Sequence, residues 1–295
     1  MSTIPISRAP DGRFAGLPDF DFEPHYREQD GLRLAYLDEG DGPPVVFWHG
    51  EPTWSFLWRK VIPAVRDAGF RCIVPDQPGF GRSDKPTELG WYSYDRFTHF
   101  AHGLLEQLDV SGATFVVHDW GGPVGLRTAV ELAERVDRLV IMDTGVATGR
   151  QRMSEAWGAF RAFVEKTEDL PIGLLVQGAT ANELPEEVVR GYDAPFPDPA
   201  SKAGARAFPL LIPLSEDAPG AAEGQRTLDG LRELRRPTLM LWADGDPILP
   251  PATGEAFARA IGAELPELVP GASHFLQEDQ GELIGRRIAD WLTSA

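Results

Sequence analysis

The chain has 295 residues, of which 42% are hydrophobic and 25% are charged, so it can bury a large core and is not predominantly disordered. Its 45 acidic and 28 basic residues give a net charge of −17, which repels nucleic acid and anionic membrane surfaces and favours a small partner that is uncharged or cationic. A single cysteine, Cys72, indicates a reducing compartment, and the lack of a signal peptide or a membrane-spanning apolar stretch predicts a cytoplasmic protein.

Apolar runs that end at turn residues predict the strands of a sheet. Residues 24–39 alternate apolar and polar side chains around Asp30-Gly31, and this pattern predicts a hairpin with a tight turn. Further along the chain, short and mostly apolar runs are typical of strands that are covered on both faces. These runs occupy residues 45–48, 71–75, 113–117 and 139–142.

Helical periodicity separates the predicted strands. Between Phe97 and Leu108, apolar residues recur at positions i, i+3, i+4, i+7, i+8 and i+11, which predicts a helix with one face packed on the sheet. A second helix is predicted over 121–136, where Pro123 lies in the first turn. The alternation of strands and helices predicts the α/β class, with a parallel, doubly wound sheet.

The alternation is interrupted between residues 144 and 231. This segment is rich in Gly, Pro and Ala and has helical stretches such as 154–166. The elements predicted after Pro237 are strands at 238–242 and 265–269 and helices at 252–261 and 282–292. We therefore predict three parts. They are an α/β core over 1–143, an inserted helical cap over 144–231 and the rest of the core over 232–295.

A carboxylate stands at the turn between a predicted strand and a predicted helix. Asp119 occupies the place that a nucleophilic serine takes in hydrolases with a G-x-S-x-G turn, although Val117 replaces the first glycine. An ionised carboxylate needs no base to become a nucleophile and can displace a leaving group from saturated carbon. The alternative is that Asp119 caps the helix that follows.

A histidine near the end of the chain completes the order that hydrolases use. His274 follows the last predicted strand, so nucleophile, acid and histidine occur in that order. Histidine can deprotonate water near neutral pH, which the hydrolysis of an ester on Asp119 requires. Two carboxylates are candidates for the acid that orients His274. Asp246, which precedes Pro247, is preferred over Asp143, which ends an earlier strand.

The loop after the first buried strand is a candidate oxyanion hole. The backbone N–H groups of Glu51 and Trp120 are expected to hold the oxyanion that forms when water attacks an ester carbonyl. The side chain of Glu51 is expected to support this loop, and a role as general base is the alternative.

Five motifs of the chain are informative together. They are HGEPTW at 49–54, DQPGFGRSDKP at 76–86, HDWGG at 118–122, GDPILP at 245–250 and GASHF at 271–275. With them the chain, from Pro24 onward, resembles the haloalkane dehalogenases of the α/β-hydrolase superfamily. The subfamily is the one with an Asp-His-Asp triad and two halide-binding tryptophans. HDWGG and GFGRSDKP also occur in epoxide hydrolases, and HGEPTW is the more specific motif.

The resemblance implies the α/β-hydrolase fold, in which a mostly parallel eight-stranded sheet is flanked by helices and carries an inserted helical cap. It implies that Asp119 is the nucleophile, that His274 is the base and that Asp246 is the acid. One departure from the family is Asp143, where relatives with this triad commonly have asparagine. The acid therefore stays open between Asp246 and Asp143.

The resemblance also implies that the leaving halide binds between two indole N–H groups, which donate hydrogen bonds from an apolar ring. One is Trp120, directly after the nucleophile. The other is Trp157, the only tryptophan in the predicted cap. The alternative for Trp157 is a core position on the same helix face as Phe160.

An apolar substrate pocket is a further implication of the resemblance. The residues expected to line it are Phe160, Phe208, Pro209 and Ile212. Such a pocket suits a neutral haloalkane and strips water from the Asp119 carboxylate, whose reactivity rises as its hydration falls.

The function that the resemblance implies is the hydrolysis of a carbon–halogen bond to an alcohol, a halide ion and a proton, through an alkyl ester on Asp119. No cofactor and no metal are expected, the partners are a halogenated alkane, water and the halide ion, and the chain is expected to be a monomer. One alternative is an epoxide hydrolase, which needs two tyrosines in the cap. The predicted cap has only one, Tyr192. The other is a catalytically silent hydrolase fold that acts as a ligand receptor.

Overall fold

The computed structural model describes residues 4–294 of the chain. Its strands are β1 (Ile6–Ser7), β2 (His25–Gln29), β3 (Leu32–Glu39), β4 (Pro44–Trp48), β5 (Arg71–Pro75), β6 (Lys85–Pro86), β7 (Ala113–His118), β8 (Val136–Met142), β9 (Thr238–Ala243) and β10 (Glu267–Val269). Its helices are α1 (Ile62–Asp67), α2 (Tyr94–Gln107), α3 (Gly121–Glu131), α4 (Glu155–Lys166), α5 (Ile172–Gln177), α6 (Glu186–Asp193), α7 (Ala203–Leu211), α8 (Ala221–Leu234), α9 (Pro251–Ile261) and α10 (Leu276–Ser294). Within residues 4–294, none of these helices combines the length and the hydropathy that crossing a bilayer requires.

The central feature of the fold is a sheet of eight strands within the described residues, in the order β10-β9-β8-β7-β4-β5-β3-β2. Strand β3 pairs antiparallel with β2 and with β5, and the other neighbours are parallel. The predicted hairpin is confirmed, because Gln29 pairs with Leu32 and both Asp30 and Gly31 have a positive φ, as a two-residue type I′ turn requires. The mostly parallel eight-stranded sheet is confirmed with it.

Two groups of helices flank this sheet. In one group, helix α1 packs against α10. In the other, α2 packs against α3, α3 against α8, and α8 against α9. Every residue of β7 is buried, because a strand covered on both faces has no side that faces solvent. The carboxyl ends of the parallel strands β4, β7, β8 and β9 meet at one edge of the sheet, where open α/β sheets bind their ligands. Their loops contain the candidate residues Glu51, Asp119, Asp143 and Asp246.

Several predicted boundaries differ from the observed ones. The helix predicted over 121–136 ends at Glu131, because Val136 is fully buried and pairs with Ala113 as the first residue of β8. The last strand is shorter than predicted and begins at Glu267. The final helix begins at Leu276 instead of residue 282, because the non-helical Gln280 (φ −136°, ψ 31°) interrupts its amphipathic pattern.

Helices α4 to α7 form the interruption between the two parts of the sheet. Helix α4 packs against α7, and α5 packs against α6. Helix α8 packs against α3 and α9, which cover the sheet. The bounds of the cap at residues 144 and 231 stay a prediction.

The N-terminal residues, to which the sequence assigned no role, contact both the core and the cap. Strand β1 pairs antiparallel with β6. The guanidinium group of Arg13 donates to the backbone oxygens of Ala194 and Asp193 at 2.7 and 3.0 Å, and the ring of Phe14 packs edge-on against Trp54. This segment therefore joins the end of α6 to the loop after β4.

Candidate active site

Asp119 lies at the sharp turn between β7 and α3. Its φ is +48°, a strained value for a residue other than glycine. The turn is possible because its neighbours lack a side chain: a Cβ at Gly50 would overlap the Asp119 carboxylate, and one at Gly122 would overlap Thr144. The carboxylate oxygen Oδ1 accepts a hydrogen bond from the backbone N–H of Glu51 at 2.6 Å. Asp119 therefore faces the loop after β4 and does not serve as the side-chain cap of α3.

Two backbone N–H groups, those of Glu51 and Trp120, hydrogen-bond to this carboxylate. Burial raises the pKa of Asp119, but the hydrogen bond and charge of His274 and the Trp120 N–H outweigh it and hold the pKa below its usual value. With 19% of its side chain exposed, the Asp119 carboxylate is both ionised and accessible to a ligand. The two N–H groups predicted for the oxyanion hole are placed as that role requires.

His274 lies between two carboxylates. Its Nε2 is 3.5 Å from Oδ2 of Asp119, and its Nδ1 is 2.8 Å from Oδ2 of Asp246. The other oxygen of Asp246 accepts from the backbone N–H groups of Ile248 and Leu249 at 2.7 and 3.0 Å. Burial lowers the pKa of His274, but the charge of Asp246 and the hydrogen bonds to Asp119 and Asp246 raise it well above the usual value. This geometry can support a nucleophile, a base and an orienting acid.

Asp143, the rival for the role of acid, lies behind Asp246. It is fully buried, and its carboxyl oxygens are each 3.2 Å from the backbone nitrogen of Ala243. Burial and the neighbouring charge of Asp246 raise the pKa of Asp143 well above its usual value, whereas Asp246, buried but paired with His274 and two N–H groups, has a pKa of about 2. Only Asp246 of the two contacts the imidazole within residues 4–294. Asp143 is a neutral, hydrogen-bonded neighbour, as an asparagine would be.

A cavity of about 1010 Å³ opens above these residues. The expected pocket residues Phe160, Pro209 and Ile212 line it. Phe208 differs from the expectation: it is fully buried, and its ring stacks on Trp120 with the ring centroids 4.7 Å apart. Adjacent helix residues point about 100° apart, so Pro209 faces the cavity while Phe208 supports the indole from behind.

Trp120 and Trp157 both line the cavity. Within residues 4–294 neither indole N–H has a hydrogen-bond partner, and neither nitrogen is fully enclosed, in contrast to the indole nitrogens of Trp48 and Trp58. An N–H without a protein partner at a cavity wall is available to an anion. Trp157 is 8% exposed and shares the cavity wall with Phe160, and its role as a halide ligand stays a prediction.

The position of Trp157 follows from the start of α4. Ser154 caps this helix by accepting a hydrogen bond from the Trp157 backbone N–H at 3.1 Å. The same hydroxyl donates to the backbone oxygen of Ile248 at 2.8 Å. Because Ile248 is also hydrogen-bonded to Asp246, the cap helix that holds Trp157 is tied directly to the loop of the acid.

The side chain of Glu51 is buried without a hydrogen-bond partner among residues 4–294. It is 4% exposed, and neither carboxyl oxygen has a hydrogen-bond partner among the described residues, so it does not support its loop through hydrogen bonds. Burial, together with the charge of Asp119, raises the pKa of Glu51 well above its usual value. Burial therefore favours the protonated form of Glu51, and a protonated carboxyl group cannot accept a proton.

The contacts that hold the loop containing His274 were not predicted from the sequence. His118 hydrogen-bonds through Nε2 to the backbone oxygen of His274 at 2.8 Å. Asp279 accepts from the backbone N–H of Ser273 at 3.0 Å. The acidic pair Glu278-Asp279 after GASHF was the available signal, but its partners are far away in sequence.

Comparisons with known proteins agree with this geometry. A family model described as the alpha/beta hydrolase fold matches residues 43–280. A haloalkane dehalogenase of Mycobacterium marinum is 41% identical to the chain, over 97% of this chain and 99% of that protein. The chain belongs to the haloalkane dehalogenase family. A haloalkane dehalogenase of Psychrobacter cryohalolentis is 38% identical over 97% of this chain and 98% of its own length.

The three-dimensional similarity of this haloalkane dehalogenase extends over nearly its whole length. The solved structure of the haloalkane dehalogenase DpaA from Paraglaciecola agarilytica, described as tetrameric, superposes with a TM-score of 0.90 at 34% identity. The match covers 96% of this chain and 97% of that one. The family, the fold class and the hydrolase class expected from the sequence are confirmed.

Proposed function

We propose that this haloalkane dehalogenase hydrolyses neutral halogenated alkanes through an alkyl ester on Asp119. The observation that supports this most is the position of the Asp119 carboxylate. One oxygen is bonded to the Glu51 N–H, the other faces His274 Nε2, and both lie in a cavity lined by the unpaired indoles of Trp120 and Trp157. A nucleophile, a base and two donors for an anion thus share one apolar cavity.

In the first step, Oδ2 of Asp119 attacks the halogen-bearing carbon. The carbon–oxygen bond forms as the carbon–halogen bond breaks, and the halide leaves with the bonding electron pair. The indole N–H groups of Trp120 and Trp157 donate hydrogen bonds to the charge that develops on the halide. Because the carboxylate is ionised at rest, this step needs no proton transfer.

In the second step, His274 Nε2 takes a proton from water, and the hydroxyl group adds to Cγ of Asp119. Negative charge collects on Oδ1, where the N–H groups of Glu51 and Trp120 stabilise it. The bond between Cγ and Oδ2 then breaks, and the leaving oxygen takes the proton held on His274 to give the alcohol. The carboxyl group left on Asp119 loses its proton to solvent, which restores the carboxylate and accounts for the acid released. Asp246 stabilises the imidazolium ion in the interval.

Formation of the ester itself prepares His274 for this second step. The negative charge of Asp119 is one reason why the His274 pKa is high in the resting enzyme. Alkylation removes that charge, so the His274 pKa falls and the imidazole becomes able to accept a proton from water. A protonated His274 can then release its proton to solvent, and the neutral ring that results is the base.

The cavity volume of about 1010 Å³ lies at the upper end of the range for small-molecule sites, roughly 300–1,000 Å³. We therefore propose that the substrates are not restricted to the shortest haloalkanes. The steps above balance without a metal or a redox cofactor, and we propose that none is needed. Activity that survives dialysis against a chelator supports this.

The test is product analysis with 1-bromobutane, 1,2-dibromoethane and styrene oxide. We expect bromide, acid and alcohol from the two bromides and no diol from the epoxide. Diol without halide supports the epoxide hydrolase alternative, and no product from any of them supports a silent receptor. The variant His274→Phe tests the ester, because it should gain the mass of the alkyl group on Asp119; an unmodified mass after long exposure contradicts covalent catalysis.

We propose that the enzyme acts as a cytoplasmic monomer without a nucleic-acid or membrane partner. The residues from Glu51 to His274 that form the site belong to one chain, so catalysis does not require a second copy. The Paraglaciecola relative is described as a tetramer. Light scattering after size-exclusion chromatography distinguishes a monomer from a tetramer. A tetramer that loses activity when it dissociates contradicts the proposal.

A further inference from the structure

Two neighbouring carboxylates follow the His274 loop and both contact the cap. Helix α10 begins at Leu276 and is interrupted at Gln280, so Glu278 and Asp279 end a separate first turn. The buried Glu278 hydrogen-bonds to Tyr192 of α6, and Asp279 reaches the loop after α5. These hydrogen bonds join the cap to two residues that lie within five positions of His274 in the sequence.

Asp279 makes more hydrogen bonds to the cap than Glu278 does. Its carboxylate accepts from the backbone N–H of Ala181 at 2.9 Å, from the backbone N–H of Asn182 at 3.0 Å and from the Asn182 side-chain amide at 2.9 Å. Oδ2 also accepts from the backbone N–H of Ser273 at 3.0 Å. One side chain therefore joins the cap loop to the residue directly before His274.

A backbone hydrogen bond also joins the loop after α5 to the loop that contains His274. The N–H of Phe275 donates to the backbone oxygen of Ala179 at 3.2 Å. Ala179 and Phe275 line the same cavity as His274. The cap loop 178–182 and the His274 loop thus form one wall of the cavity, and Asp279 holds its outer side.

The backbone around His274 is also held at other points, beginning with Ala272, whose N–H donates to Asp244 at 3.3 Å and whose oxygen accepts from the Gly245 N–H at 3.0 Å. His118 bonds to the His274 carbonyl, and Asp246 bonds to its ring. The N–H of the preceding residue, Ser273, bonds to Asp279. A shift of this backbone changes the 3.5 Å separation between Nε2 and Asp119 and the space for the water that His274 must deprotonate.

We propose that Asp279 is a positioning residue for the hydrolytic half of the reaction, which holds the His274 loop against the cap loop. This inference rests on the proposed function. Alkylation uses Asp119, Trp120 and Trp157 and does not use the imidazole, whereas hydrolysis of the ester requires it. Loss of Asp279 therefore slows the second step selectively.

The experiment follows a single turnover of 1-bromobutane by rapid quench in the full-length enzyme, with bromide reporting alkylation and butanol reporting hydrolysis. In Asp279→Ala we expect bromide release near the wild-type rate and butanol release slowed on the order of 10- to 100-fold, since small displacements of catalytic groups have effects of this size. The alkyl ester should accumulate and appear in the mass spectrum. Unimpaired alkylation also shows that the variant is folded.

Three matched variants accompany this measurement. Glu282→Ala removes a carboxylate from the same helix, where it pairs only with Arg286 among the described residues, and should leave both steps unchanged. Asn182→Ala removes one of the cap contacts and keeps the bond to Ser273, so hydrolysis should change little. Asp279→Asn keeps one acceptor oxygen, and its hydrolysis rate should lie between those of wild type and Asp279→Ala.

Equal slowing of both steps in Asp279→Ala, or an unchanged hydrolysis rate, overturns the proposal. The failure of the proposed function has a different signature. If His274→Phe gains no alkyl group, the ester mechanism is wrong and the role of Asp279 falls with it. If His274→Phe traps the ester while Asp279→Ala behaves as wild type, only the role of Asp279 is wrong.

Discussion

The backbone N–H of Glu51 lies 2.6 Å from Oδ1 of Asp119, yet the Glu51 side chain has no hydrogen-bond partner in the described part of the chain. The same residue thus stabilises one carboxylate with its backbone while its own carboxyl group stays neutral beside it. Neutrality is required here, because a second negative charge next to Asp119 would oppose ionisation of the nucleophile.

The first prediction concerns this neutral carboxyl group. Glu51→Gln replaces it by a neutral group of nearly the same shape, so we expect kcat/KM for 1-bromobutane to stay within about fivefold of wild type, whereas a general base contributes roughly 10²–10⁴-fold. Steady-state bromide release measures it. A loss of more than a hundredfold would assign Glu51 a proton-transfer role and contradict the raised pKa.

The second prediction separates Asp143 from Asp246. Asp246→Asn removes the charge that orients and stabilises the His274 imidazolium, and we expect ester hydrolysis to slow on the order of 10³–10⁴-fold. Asp143→Asn exchanges one neutral hydrogen-bonding group for another, so hydrolysis should change little. Single-turnover butanol release measures both variants. Equal losses would mean that the two carboxyl groups share the role of the acid.

Much of this site was predictable because local sequence determines it. The turn at Asp119 needs small neighbours such as Gly122, and an apolar strand before a glycine-rich turn is visible as a pattern. The order of Asp119, Asp246 and His274 along the chain then places all three at one edge of a parallel sheet. Strands covered on both faces leave little freedom in that placement.

The parts that could not be predicted depend on contacts between distant residues. Whether Phe208 or Pro209 faces the cavity depends on the rotation of α7 about its axis. That rotation is fixed by the rings of Phe80, Phe97 and Trp120, which stack on Phe208. The contacts of Asp279 with Ala181 span about a hundred residues. Gly281 follows the break at Gln280 that exposes Asp279 to the cap loop, but a single glycine inside a helical pattern does not by itself predict an interruption.

The third prediction is that pH separates the two chemical steps. Asp119 has a lowered pKa, so alkylation should be constant between about pH 8 and pH 5, since an ordinary aspartate titrates near 3.9. Hydrolysis needs neutral His274, and its pKa stays raised by Asp246 in the ester, so hydrolysis should slow as the pH falls. The ester should then accumulate at acidic pH. A parallel decline of bromide and butanol release contradicts this.

The fourth prediction concerns a buried ion pair within the core, which also contacts Tyr192 of the cap. Arg59 Nη2 donates to Oε2 of Glu278 at 2.8 Å, and both side chains are fully buried. Glu278→Gln leaves Arg59 without its counter-charge, so we expect the free energy of unfolding to fall by about 3–5 kcal/mol. Urea unfolding measures it. Glu216→Gln is the control, because the pair of Glu216 with Arg150 is exposed, and exposed ion pairs contribute little to stability.

The fifth prediction tests the two indoles. Bromide should quench tryptophan fluorescence, and Trp157→Phe should weaken bromide binding roughly 10- to 100-fold, because a hydrogen bond to a charged group contributes about 1.5–3 kcal/mol. Trp291→Phe is the control, since Trp291 lies on α10 beside Arg138, outside the cavity, and its loss should leave the dissociation constant unchanged. Phenylalanine keeps an apolar ring at position 157 and removes only the N–H donor, so identical titrations for Trp157→Phe and wild type would exclude Trp157 as the second halide ligand.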